Sequence, residues 1–264
     1  MSIGAASHSP ALAAFTRTVN GNMVTTYYVA WQRTTNQEIR AAAFDNLGNR
    51  IGSEKVLDDR RGGIGQQPLQ RRNVSLSVNR LGVIAAAWEE FVDGDYAWIA
   101  GTRCTRDFNN CQFLDAGCGR CLGGPGREKY QKACTDDDFC SRAPGSGPLL
   151  ACITHKVSCP PRAPFSAQAT AFAAVAIDEG SNVSVTWQGS VNHVDAWNIF
   201  ARGFASDGSV LVNDHRIDLA DHASAAGASV TATNIPGEFI YAWSDDREGK
   251  MNVYMRRRSL SAEP

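Results

Sequence analysis

Apolar residues along this chain fall in two-residue alternation or in short continuous runs bounded by Gly, Asn, Asp and Ser. That pattern predicts strands joined by hairpins, and helical periodicity is absent nearly everywhere. An apolar strand ending in Trp occurs four times, at Tyr28–Trp31, Ala86–Trp88, Ser184–Trp187 and Ile240–Trp243. Each Trp is followed by a polar turn and a second strand, Glu38–Phe44, Ala97–Arg103, Asn198–Phe204 and Asn252–Arg256. Upstream of each Trp lies another turn, closed by Gly21, Gly82, Gly180 or Gly237. Asn or Asp beside Gly is hairpin chemistry, because Gly accepts the positive φ that such turns need. The first and third copies continue alike, Phe44 to Gly48 matching Phe204 to Gly208, before a further strand ending near Val56 and Ile217. Three to four strands per unit result.

The spacing supports a repeat. Trp31 to Trp88 is 57 residues and Trp187 to Trp243 is 56, while Trp88 to Trp187 is 99, or 43 once the 56 residues of 104–159 are set aside. A period near fifty built of antiparallel strands is the pattern of β-propeller blades, each sheet burying its faces on its neighbours. The expected fold is therefore all-β, a propeller-like array of four antiparallel sheets formed by 1–103 and 160–264. Residues 104–159 read as an insert replacing the outer strand of unit two. A closed ring, an open array and half of a dimeric ring all fit the repeat.

All eight cysteines, Cys104, Cys111, Cys118, Cys121, Cys134, Cys140, Cys152 and Cys159, lie in that insert. An even count in a Gly-, Pro- and Asp-rich segment predicts a small module stapled by four disulfides. Zinc would call for a second Cys-x-x-Cys pair besides Cys118–Cys121, and a thioredoxin-like role for a flanking strand and helix. The sequence does not choose the pairing. Disulfides at this density imply an oxidising compartment, so a secreted or cell-surface protein is expected, with its signal peptide removed. Lys and Arg number 26 against 27 Asp and Glu, which gives no pull toward nucleic acid. No apolar run approaches the roughly eighteen residues of a membrane span.

The stretch from Tyr241 to Arg256 resembles a tandem repeat common in secreted bacterial proteins, Trp-x-Asp-x-Arg-x-Gly followed by Ile-Tyr-x-x-Arg. The matching residues are Trp243, Asp245, Arg247, Gly249, Val253, Tyr254 and Arg256 or Arg257. The other three units keep the strand pattern and lose the acidic turn. The insert, with Cys134-Thr-Asp-Asp-Asp-Phe-Cys140, is similar to Cys-rich modules in secreted proteins of predatory soil bacteria such as myxobacteria. These resemblances imply propeller-like architecture with an adhesive or recognition role, and name no reaction.

The four repeat tryptophans are expected to pack between blades. Trp98 and Trp197 lie beside polar turns and, with Tyr96 and Asp195, are the candidate ligand contacts. Asp93 with Asp95, Asp136 to Asp138, and Asp245 with Asp246 set carboxylates close enough to share a hard cation, for which calcium is the suited ion, although none has EF-hand spacing. Asp214-His215 and Asp221-His222 make no dyad, because neighbours on a strand point to opposite faces. The same argument separates Glu89 from Glu90. No hydrolase, zinc-protease or phosphate-loop motif is present. The leading expectation is a non-enzymatic recognition or adhesion module that binds a glycan or a cell-surface protein, with no nucleic acid, no membrane insertion and homo-oligomerisation open. A structural subunit of an extracellular filament and a propeller-type glycoside hydrolase are the alternatives.

Overall fold

Continuous apolar runs such as Ile84-Ala-Ala-Ala-Trp88 bury both faces of a strand, and this property organises the molecule. The computed structural model describes residues 7–33, 38–57, 70–92, 96–114, 120–122, 150–153, 170–190, 197–218 and 224–260. The first sheet comprises β1 (Ser7–Val19), β2 (Asn22–Arg33), β3 (Glu38–Phe44) and β4 (Arg50–Val56). β5 (Gln70–Val78), β6 (Ile84–Val92), β7 (Tyr96–Cys104) and β8 (Cys111–Phe113) form the second. β9 (Arg120–Leu122) and β10 (Leu150–Ile153) make a small ribbon. β11 (Thr170–Ile177), β12 (Val183–Ser190), β13 (Trp197–Phe204) and β14 (Val210–Arg216) form the third sheet, and β15 (Ala225–Ala232), β16 (Glu238–Asp245) and β17 (Asn252–Ser259) the fourth. Every pairing is antiparallel and each sheet is a meander, as expected of propeller-like blades.

The first strands of successive sheets pack on one another, β1 on β5, β5 on β11 and β11 on β15. Each sheet therefore has a front face toward the next sheet and a back face toward the one before. Tyr28, Ala30, Ile39 and Ala41 of the first front meet Ile84, Ala86 and Trp88 of the second back. Ala85, Ala87 and Ile99 then meet Val183, Val185 and Trp187, and Ile199 and Ala201 meet Phe239, Tyr241 and Trp243. All four repeat tryptophans are buried on back faces, Trp31 among Val29, Ala42 and Phe44.

Each first strand carries a β-bulge at one position of the repeat. Ser9 and Pro10 oppose Trp31, Asn73 and Val74 oppose Trp88, Phe172 and Ala173 oppose Trp187, and Gly227 and Ala228 oppose Trp243. The first residue of each pair has positive φ, 49° at Ser9, 52° at Asn73, 54° at Phe172 and 68° at Gly227. An extra residue there bends the strand and increases its twist, which fans the sheets around the centre. Three of the four are not glycine, so the conformation is held by the surroundings.

Except for Asp246–Gly249, the tight hairpin turns among the described residues gather on one rim, where Asx side chains close three of them. Asp45 Oδ1 accepts from the Leu47 and Asn49 amides, Asn79 Oδ1 from those of Leu81 and Val83, and Asp178 Oδ1 from that of Asn182. Asn79 Nδ2 also donates to the Asp178 carbonyl at 2.9 Å and to Ser181 Oγ, locking the second turn to the third. Asp178 Oδ2 accepts from the Gly237 amide of the fourth.

β8, from the segment read as the insert, takes the outer place in unit two. The Cys104–Cys111 disulfide, with Cα atoms 4.0 Å apart, closes the β7–β8 hairpin, so residues 104–113 belong to the second sheet. Cys121 and Cys152 are Cα partners in the β9–β10 ribbon. Cys118, Cys134, Cys140 and Cys159 lie outside the described residues.

Candidate functional site

On the rim opposite the tight turns, two bulged strands meet over one carboxylate. Glu89 on β6 is fully buried, and its Oε1 accepts from Asn73 Nδ2 at 2.9 Å and from the Phe172 backbone amide. Its Oε2 accepts from Arg72 Nε at 2.9 Å. One side chain thus joins β5 of the second sheet to β11 of the third at both bulge residues. Glu90 faces the other way and accepts from Trp88 Nε1 at 2.9 Å and from Arg71 Nε. Divergence of the two acids is as strand geometry requires.

Outward from Glu89, the Arg72 side chain is 54% exposed and Phe172 is 56% exposed. An open aromatic ring and a guanidinium at a bulge near the centre of the array suit a sugar, whose C–H face packs on the ring while its hydroxyls accept hydrogen bonds. Phe172 did not stand out in the sequence. The Arg71-Arg72 pair occupies a first strand, each Arg opposite an acid of β6. Two Arg followed at matching distance by two Glu was the available signal.

A concavity of about 470 Å³ opens between the first and second sheets on the tight-turn rim. Tyr28 and Phe108, packed edge to face at 5.7 Å, line it with Arg17, Lys55, Arg106 and Asp107. Burial pushes the Tyr28 phenol up to about 12, although Arg106 and Arg17 favour its ionised form, and its buried hydroxyl has no hydrogen-bond partner. Asp107 accepts from the Thr105 hydroxyl, which holds its carboxyl below the ordinary range. With three cationic side chains and one acid engaged in its own turn, the cleft suits an anionic group.

The expected site residues are dispersed. Tyr96 and Trp98 are β7 residues opposite Val92 and Glu90, and Trp197 is half-buried at the start of β13. Asp93, Asp95 and Asp195 lie outside the described residues. Asp245 and Asp246 are engaged separately. Asp245 is buried and bonded to Trp243 Nε1 and Arg247, while Asp246 Oδ1 accepts from the Ser224 amide. Among the described residues no three His, Cys, Asp or Glu side chains converge as metal ligands.

No protein-family model matches the chain, and no curated protein matches it. Solved structures do match. An endo-arabinase from Bacteroides thetaiotaomicron aligns at 9% identity and TM-score 0.39, over 91% of this chain and 72% of its own. An α-L-arabinanase from Penicillium chrysogenum aligns at 8% and 0.42, over 87% and 59%. A fucose-specific lectin from Aleuria aurantia aligns at 11% and 0.36, over 97% and 65%. Likeness at this level identifies no activity for this chain. Arabinanases stand among the matches, against the expectation of a non-enzyme.

Proposed function

We propose that the chain is a carbohydrate-active protein that cleaves glycans in the manner of a propeller-type glycoside hydrolase, working at the rim around Glu89. The observation that carries this reading is the join at Glu89, which sets exposed Phe172 and Arg72 side by side on two bulged strands. Phe172 offers a stacking face and Arg72 a hydrogen-bonding edge. Glu89 is a positioning residue, its oxygens taken up by Asn73, Arg72 and the Phe172 amide. Hydrolysis needs a pair of carboxyl groups roughly 5–10 Å apart facing the sugar. In the same reading the cleft beside Tyr28 retains an acidic sugar unit, because Arg17, Lys55 and Arg106 outnumber Asp107 there.

The experiment is release of reducing ends from a panel of neutral and uronate-bearing polysaccharides, arabinan included, by the full chain. Turnover that falls at least tenfold in Phe172→Ala, with the fold intact, supports the reading. No release from any polysaccharide, or full activity in Phe172→Ala, rejects it.

A further inference from the structure

Three of the four blades bury an Ile at one position of the repeat. Ile39, Ile99 and Ile199 each precede the third-strand residue opposite the Trp, and each is 0% exposed. Val253 holds that position in the fourth sheet and is 81% exposed. Two residues on, Ala41 and Ala201 are wholly buried, whereas Met255 is 74% exposed. The front face of the fourth sheet is therefore built like the others, and among the described residues no sheet lies in front of it.

The back face of the first sheet shows the converse. Val175 in β11 is 5% exposed, while Leu12, its equivalent in β1, is 64% exposed. Ile84, Val183 and Phe239 are buried, and Tyr27, at the same position, is open. Two faces remain open in part among the described residues, a front at one end and, beside the buried Trp31, Ala42 and Phe44, a back at the other, and β15 does not pack on β1 as the other first strands pack on each other. They are the two halves of an interface the molecule already makes three times.

We propose that a second copy of this chain occupies both faces. The fourth-sheet front of each copy packs on the first-sheet back of the other, which closes an eight-sheet ring of two chains. The occupant follows from continuity with the established contact: each chain carries both complementary halves, and a two-fold axis satisfies both at once. Faces of this apolar character are otherwise a liability for association. The inference is independent of the glycan reading.

The test is the mass of the full chain in solution by light scattering. Twice the 28.5 kDa chain mass is expected. Val253→Glu and Leu12→Glu, both at open positions that leave the folded core untouched, should each give a single-copy mass at dilutions where the parent stays paired. Mixing the two variants should restore a two-copy mass, because the front of one and the back of the other survive. A single-copy parent at every concentration overturns the proposal. So does Leu12→Glu leaving the pair intact, which would mean a front-to-front contact, and so does a mass that keeps growing with concentration. Unchanged circular dichroism of both variants separates loss of pairing from loss of fold.

Discussion

Trp243 Nε1 donates to Asp245 Oδ2 at 2.8 Å, and the same carboxylate holds Arg247, whose guanidinium lies 3.9 Å from the centre of the Tyr254 ring. Tyr254 in turn stacks on Trp243. The Trp-x-Asp-x-Arg pattern with its following Tyr is thus a closed structural unit, in which one acid satisfies a buried indole N–H and a cation that caps two rings. The second sheet makes the same indole bond with Glu90.

Hydrogen bonding from Arg247 holds the Asp245 carboxyl below its ordinary range. A folded value below the unfolded one stabilises the protein above the unfolded value, near 3.9, and that contribution disappears as pH falls through the folded value. Asp245→Asn should therefore cost about 2 kcal/mol at neutral pH and much less in acid. Urea unfolding of both proteins at pH 7 and near pH 2 measures the difference, and an equal loss at the two pH values counts against the ion pair.

Asp218 runs the opposite way. Burial raises its carboxyl above the ordinary range, against the pull of Arg216 at 2.7 Å. A raised carboxyl takes up a proton more readily when folded, so stability falls as pH rises from the unfolded value through the folded one. Asp218→Asn should lessen that fall and leave neutral-pH stability within about 1 kcal/mol of the parent, since the lost ion pair is offset by the removed desolvation cost. A pH series of melting temperatures checks it. A variant whose pH dependence matches the parent's removes Asp218 as the cause.

Strands and blades were legible in the sequence because period-two burial repeats around a landmark as conspicuous as Trp. The bulges were not. One added residue opposite each Trp leaves no composition signature when the four positive-φ positions are Ser9, Asn73, Phe172 and Gly227. Asp245 read as a cation ligand because the sequence shows its acidic neighbour Asp246 and hides the indole two residues back, which the strand turns to the same face. The contact from Glu89 to Phe172 spans 83 residues, and only the packing of neighbouring sheets brings the two together.

The Cys104–Cys111 bridge closes a loop with a sequence separation of 7. Loop-closure entropy for so short a span is about 2.5 kcal/mol. Replacing both cysteines with Ser should lower stability by that order, with the second sheet otherwise kept, because β8 pairs with β7 through its backbone. Chemical denaturation of the double variant reads the loss. A loss below about 0.5 kcal/mol would mean the unfolded chain already holds this hairpin.

Removing the Glu89 carboxylate should reach further than its own strand. Glu89→Ala strips the partner from the Asn73 amide group, the Phe172 backbone amide and the Arg72 guanidinium, two of which belong to the bulges. The expected cost is about 3 kcal/mol, at the low end for a broken buried ion pair because Arg72 can turn to water. Glu89→Gln still accepts from the two neutral donors and should cost about half as much. Hydrogen exchange distinguishes the mechanism. The Phe172 amide should lose protection in the Ala variant before the amides of β12 do, because its acceptor lies in the neighbouring sheet, whereas β12 keeps its backbone partners on β11 and β13. Uniform loss across the third sheet would instead make Glu89 a general contributor to stability with no particular hold on the bulge.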